Sequence, residues 1–209
     1  MLKYIIISII ILSTVAIKAD DEASLKSAAD SGDSYAQYSL GALYDDQGKL
    51  DLAEYYWKLA ADDGFNEAQN NLGALYDDQG KLDLAEHYWK LAADGGGSLA
   101  QINLGNLYEK QGKLDLAIHY YTLAAQDGYS ISQYRLGLLY RDQENLELAE
   151  HYLKLAAQEG HSRAANNLGD LYENQGNMEL AEYYYKLSAD SGNTDAQNNL
   201  EALYKKLGK

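Results

Sequence analysis

The dipeptide Leu-Gly recurs at Leu40-Gly41, Leu72-Gly73, Leu104-Gly105, Leu136-Gly137 and Leu168-Gly169, each 32 residues after the last. A sixth copy keeps Leu200 and carries Glu201 where the others have glycine. A fixed interval of this length demands a stack of small units, because one such unit cannot bury its own apolar face. Packing consumes the faces between units and leaves a long surface on which a partner can be held.

Each unit divides into two amphipathic halves. In the first, Ala36, Leu40, Leu43 and Tyr44 fall at i, i+4, i+7 and i+8, one apolar stripe of a helix. In the second, Leu52, Ala53, Tyr56, Trp57 and Ala60 form another. The halves are termed helix A and helix B. Gly64, Gly96, Gly128, Gly160 and Gly192 follow the B helices, and Gly48, Gly80, Gly112 and Gly176 follow the A helices, as helix-ending glycines do. Gly41 and its counterparts lie inside helix A, where glycine costs about 1 kcal/mol relative to alanine. A close approach of the helix B backbone is the expected compensation. Glu54–Lys58, Glu86–Lys90, Glu150–Lys154 and Glu182–Lys186 are four apart and read as exposed ion pairs on the B helices. The third unit has Ile118 and Thr122 at that place, a less polar patch that could serve as an outer-face contact.

The N-terminus is different in kind. Lys3, an apolar run from Tyr4 to Ile17 and the small residue Ala19 have the layout of an export signal. The run is shorter than the roughly 20 residues of a comfortable bilayer span. The expected organisation is a signal peptide at 1–19, a capping helix at 20–32, five helix pairs at 33–195 and a closing helix at 196–209. Such a protein is exported, to a periplasmic or extracellular space, with no membrane span after cleavage.

Composition removes several function classes. The chain has no cysteine, so disulfides, thiolate metal sites and a cysteine nucleophile are excluded. Its 32 acidic and 17 basic residues give a net charge of −15, which opposes nucleic-acid binding. No cofactor is implied. His87, His119 and His151 share one column of successive B helices with Tyr55 and Tyr183. Layers stacked about 8–10 Å apart cannot place such side chains on one metal ion. The column reads as an aromatic packing row, and no metal site is expected.

The pattern Leu40, Gly41, Tyr44, Ala53, Trp57, Ala60 resembles the tetratricopeptide-repeat superfamily. The phrase Leu-Ala-Ala-x-x-Gly before Ala-x-x-x-Leu-Gly is similar to its Sel1-like branch. The resemblance covers roughly residues 23–207. It departs from both types: the unit is shorter than the usual tetratricopeptide repeat, lacks its proline, and has a shorter A–B turn than the usual Sel1-like repeat. It implies an all-α fold, a right-handed α-solenoid of antiparallel helix pairs, and a scaffold that binds a protein or peptide on a concave face lined by the A helices.

Columns that vary between repeats are candidates for partner contact. By the same resemblance, the groove is lined by the first variable column, Tyr38, Asn70, Ile102, Tyr134, Asn166 and Asn198, and by Asn106 and Asp170 of a third column that also holds Ala42, Ala74, Leu138 and Ala202. Between them lies a second column, Ser39, Asn71, Asn103, Arg135, Asn167 and Asn199. Asparagine both donates and accepts hydrogen bonds and so can hold an extended peptide backbone. The leading expectation is an exported interaction scaffold. The competing expectations are an accessory subunit of an envelope complex and a secreted host-interaction factor. An enzyme is disfavoured, since no nucleophile–base pair or paired carboxylates are evident.

Overall fold

The computed structural model describes residues 22–209. The export segment expected at 1–19 lies outside the described residues. Helix α1 occupies residues 22–30. It is followed by α2 (Ser34–Asp46), α3 (Leu50–Asp62), α4 (Asn66–Asp78), α5 (Leu82–Asp94), α6 (Ser98–Lys110), α7 (Leu114–Gln126), α8 (Ser130–Asp142), α9 (Leu146–Gln158), α10 (Ser162–Asn174), α11 (Met178–Asp190) and α12 (Thr194–Leu207). No strand occurs among the described residues. Even-numbered helices are the A helices and odd-numbered ones the B helices. The chain forms two compact units, one ending at Ala100 and the other spanning Gln101–Lys209. In each, consecutive antiparallel helices pack against one another, as α2 does on α3 and α4 on α5 in the first and α8 on α9 and α10 on α11 in the second. The fold is an α-solenoid of helix pairs.

From α2 to α11 every helix has 13 residues, and three residues join it to the next. The 32-residue period is therefore two beats of sixteen. Each beat ends in one residue of left-handed backbone. At the first A–B turn, Gly48 has φ 72°. Its N–H donates to the Asp45 carbonyl at 2.8 Å, and the Lys49 N–H donates to the Tyr44 carbonyl at 2.8 Å. Carbonyls left over at the end of α2 are thereby satisfied. Glycine occupies this place in every turn but one: at the α8–α9 turn it is Glu144, with φ 60°.

The helix-interior glycines are explained by packing, with one correction. A Cβ on Gly41 would lie 2.4 Å from the Trp57 ring, and one on Gly73 2.4 Å from the Trp89 ring. Tyr121 stands over Gly105, Leu153 over Gly137 and Tyr185 over Gly169 in the same way. The neighbour is always the residue sixteen further on. It is a side chain and not, as expected, the helix B backbone; only at Gly137 does a backbone atom, Leu153 N at 3.3 Å, join it. Glu201, at the sixth position, is exposed and pairs with Lys205 at 2.9 Å.

Two tyrosine columns lock A to B. Tyr44 stacks on Tyr56, Tyr76 on Tyr88, Tyr108 on Tyr120, Tyr140 on Tyr152 and Tyr172 on Tyr184, with ring centroids 5.5–5.7 Å apart. The histidine column lies edge-on to the second set: His87, His119 and His151 meet Tyr88, Tyr120 and Tyr152 at 5.0–5.1 Å. It is an aromatic packing row.

The Glu–Lys pairs do more than decorate a surface. Glu54 takes Lys58 at 2.6 Å and also accepts the Tyr76 hydroxyl of the next A helix at 2.8 Å. Glu150 does the same with Lys154 and Tyr172, and Glu182 with Lys186 and Tyr204. These bonds hold the Glu54 carboxyl below its ordinary pKa, the Lys58 hydrogen bond contributing most. Ile118 and Thr122 thus occupy the place of an inter-repeat clamp. Both are half-buried, and Thr122 Oγ1 donates back to the Ile118 carbonyl at 2.7 Å. This repeat therefore lacks the carboxylate that takes a lysine and a tyrosine in the repeats of Glu54, Glu150 and Glu182.

Two substitutions test these readings. Left-handed backbone costs a side chain about 1–2 kcal/mol, part of which glycine returns as unfolded-state freedom. Glu144→Gly is expected to stabilise the protein by about 1 kcal/mol in urea unfolding. Gly73→Ala gains about 1 kcal/mol of helix propensity but drives a methyl into Trp89. Overpacking of about 1–3 kcal/mol decides the sign, and the variant is expected to melt below the parent.

Candidate functional site

Among the described residues, clefts open on the A helices within each unit. In the first unit, Asp45, Asn71, Ala74, Asp78 and Gln79 with Leu50, Trp57 and Leu75 line a cleft of about 310 Å³. In the second, Asn106, Glu109, Lys110 and Arg135 line one of about 430 Å³. Arg141, Leu146, Asn167, Asp170, Glu173, Asn174 and Tyr185 are among those lining one of about 570 Å³.

Several members of the first column, expected to line a groove, also pack within the fold. Tyr38 meets Phe65 at 5.1 Å and Tyr134 stacks on His161 at 4.4 Å. The Tyr38 and Asn70 carbonyls accept the indole N–H of Trp57 and Trp89, both at 3.2 Å. Ile102 and Asn166 are 9% exposed, which leaves them little surface to offer, and Asn166 Oδ1 accepts from Asn199 at 3.1 Å. Asn198 is exposed on α12. His161 also caps α10, its Nδ1 accepting the Ala164 N–H at 3.3 Å, and burial lowers its pKa. His161 follows the glycine that ends α9 and so serves the end of one helix and the start of the next.

The third column varies for a reason internal to the fold. Where the B helix sends in Trp57 or Trp89, the residue fifteen earlier is Ala42 or Ala74. Where it sends in Tyr121, the Asn106 Oδ1 lies 2.6 Å from the hydroxyl and Glu109 Oε2 lies 2.7 Å away. Where it sends in Tyr185, that hydroxyl lies 2.8 Å from Asp170 Oδ1 and 3.0 Å from Glu173 Oε2. Where it sends in Leu153, the partner is Leu138. Asn106 and Asp170 are thus cleft residues already satisfied by a ring from below. Burial and the adjacent carboxylates push the Tyr121 and Tyr185 hydroxyls well above the ordinary range, so neither supplies a base.

Three residues of the second column, Asn71, Arg135 and Asn167, line clefts without belonging to this packing. The sequence reading passed over it. Its signal was polarity in all six repeats, since Ser39, Asn71, Asn103, Arg135, Asn167 and Asn199 include no apolar residue. Arg135 is held 3.6 Å from Glu109. Among the described residues, no group of three or more His, Asp or Glu is arranged to hold a metal ion. No helix among them is long and apolar enough to cross a membrane.

Comparison with known proteins agrees with this architecture. The tetratricopeptide-repeat model matches residues 70–131 and 134–196, and the Sel1-repeat model matches residues 34–65. The chain belongs to the tetratricopeptide-repeat superfamily. No curated protein matches it. Among solved structures, it is similar to c5321, a protective antigen present in uropathogenic Escherichia coli strains that displays an SLR fold. The identity is 26%, the TM-score 0.83, and the match covers 92% of this chain and 46% of that one. The chain therefore spans about half the length of that relative. A Sel1 repeat protein from Oxalobacter formigenes shares the fold at 24% identity and TM-score 0.67, over 88% of this chain and 89% of that one. YrrB, described as a tetratricopeptide-repeat protein with an unusual peptide-binding site, shares it at 19% identity and TM-score 0.58, over 90% and 96%. Tetratricopeptide and Sel1 repeats indicate a protein-interaction scaffold, a fold that is typically non-enzymatic.

Asp170 gives this region a pH dependence. Burial raises its pKa, against the lowering effect of the Tyr185 hydrogen bond. An acid raised in the folded state is favoured when protonated, so its contribution falls as pH rises through the ordinary value of 3.8. Asparagine accepts the same tyrosine bond without that charge, as Asn106 does for Tyr121. Asp170→Asn is expected to raise the melting temperature by a few degrees at neutral pH, the difference closing near about pH 3.

Proposed function

We propose that this protein is an exported scaffold that holds an extended peptide segment of a protein partner along its A-helix face. The observation that carries the reading is that clefts open between A helices within each unit, with second-column side chains in their walls. Asn71 and Asn167 are half-buried and present amides that can pair with a peptide backbone. YrrB, a relative in fold, is itself described as having a peptide-binding site. Lys3, the apolar run from Tyr4 to Ile17 and Ala19 support export, with cleavage before Asp20.

A second reading, a secreted or surface factor in contact with a host, is favoured by one observation. The relative found over 92% of this chain at 26% identity is a protective antigen of a uropathogen. The two readings are compatible, since the host molecule can be the peptide partner.

A peptide-display library selected on the purified protein tests the site. Asn71→Ala and Asn167→Ala are each expected to weaken the selected peptides by about 5- to 30-fold, the effect of one or two lost hydrogen bonds. Peptides that bind both variants as tightly as the parent would place recognition elsewhere and overturn the A-helix assignment.

A further inference from the structure

The A helices of the two units differ in charge. Helices α2 and α4 carry Asp45, Asp46, Glu67, Asp77 and Asp78 and no basic residue. Helices α8, α10 and α12 balance five acids with Arg135, Arg141, Arg163, Lys205 and Lys206. Over each unit as a whole, residues 22–100 hold 15 acidic and 5 basic side chains, net −10, and residues 101–209 hold 15 and 10, net −5.

The position of the first-unit acids runs against local helix physics. Asp45 and Asp46 close the last turn of α2, and Asp77 and Asp78 that of α4; neither turn has a basic residue. The carbonyl end of a helix is negative and disfavours carboxylates. The fold does not require acids there, since the same two places hold Arg141 and Asp142 on α8 and Lys205 and Lys206 on α12.

Two of these aspartates, Asp45 and Asp78, line the 310 Å³ cleft of the first unit, whose exposed apolar walls are Leu50 and Ala74. Leu50 is left 44% exposed. Apolar walls with carboxylates beside them match one kind of side chain, an aliphatic stem ending in a cation. We infer that the cleft between α2, α3 and α4 seats a lysine or arginine side chain from a basic stretch of the partner. The inference rests on the peptide-scaffold reading and specifies its chemistry. The apolar walls of Leu50 and Ala74 distinguish the cleft from a cation site, which is built of oxygen ligands.

The test is calorimetric titration of the purified protein with three blocked Gly-Ser peptides that carry lysine, glutamine or glutamate at every third position. The lysine peptide is expected to bind, and Asp45→Asn/Asp78→Asn to weaken it by about tenfold or more. The control Asp62→Asn/Asp94→Asn removes the same charge from the last turns of the B helices α3 and α5 and is expected to change the affinity less than about twofold. The cleft variant is also expected to melt no lower than the parent, since it relieves the helix ends, which separates loss of binding from loss of fold. Equal weakening by both double variants would show general charge attraction and overturn the inference. Glutamine or glutamate peptides that bind as tightly and are lost in the cleft variant would keep the peptide site and overturn its basic specificity. Failure of all three peptides, together with Asn71-independent binding of display-selected peptides, would overturn both.

Discussion

The contact on which the rest depends is a bare glycine on helix A under a large side chain from helix B. Gly41 under Trp57 and Gly169 under Tyr185 are two of five such pairs, each joining residues sixteen apart. The spacing ties the contact to the beat of the chain. A 13-residue helix and a three-residue turn bring residue i+16 back over residue i. The left-handed residue in each turn makes that return possible in so few residues. The glycine's cost to helix A is small beside the burial of a ring: Tyr121 is fully buried and Trp57 is 4% exposed.

That contact also organises the polar chemistry of the A-helix face. The inserted side chain decides what stands above it. Tryptophan spends its N–H on a main-chain carbonyl and leaves alanine beside it. Tyrosine carries a hydroxyl outward, and a buried hydroxyl needs a partner, so asparagine or aspartate appears fifteen residues earlier. Leucine needs nothing and is matched by leucine. Variation in this column is therefore compensation inside the repeat. The argument that repeated positions hold the fold while varied positions hold a partner fails here, because covarying packing pairs vary together.

Much of the fold was legible because it is written five times. The helix stripes, turn glycines and tyrosine columns recur at one phase, and repetition turns a weak local signal into a strong one. The contents of the close approach at Gly41 were not legible, since periodicity gives the partner's phase but not whether backbone or side chain arrives. The site was less legible than the fold. Tyr38 and Tyr134 carry the residue type expected of a binding hot spot, yet Phe65 and His161 cover them, and nothing short of the turn geometry brings those rings together. The Glu–Lys pairs were legible as i, i+4 neighbours, but the third member, a tyrosine hydroxyl 22 residues on, belongs to the next repeat. The strain at Glu144 is not legible, because a single non-glycine in a glycine column reads as tolerance, whereas its φ of 60° is left-handed.

Helix α12 shows what happens when the glycine contact is absent. Glu201 takes the glycine's place, no ring covers it, and only Ala196 and Leu203 of the helix are buried. Ion pairs supplement this small apolar contact. Lys206 reaches Glu173 on α10 at 3.0 Å, and Lys209 reaches Glu182 on α11 at 2.7 Å, where three donors draw that carboxyl down to a pKa of about 2. Exposed ion pairs are worth far less than a buried ring, on the order of 1 kcal/mol or below each. Local stability should therefore fall from α10 to α12, and the asparagines of α12 sit on the least anchored part of the A-helix face. Binding there would have to order the helix as well as the ligand, whereas Asn71 and Asn167 are presented by helices already locked by Trp89 and Tyr185. That difference leaves the interior repeats, where the ring contact has fixed the surface in advance, as the better-ordered part of the A-helix face.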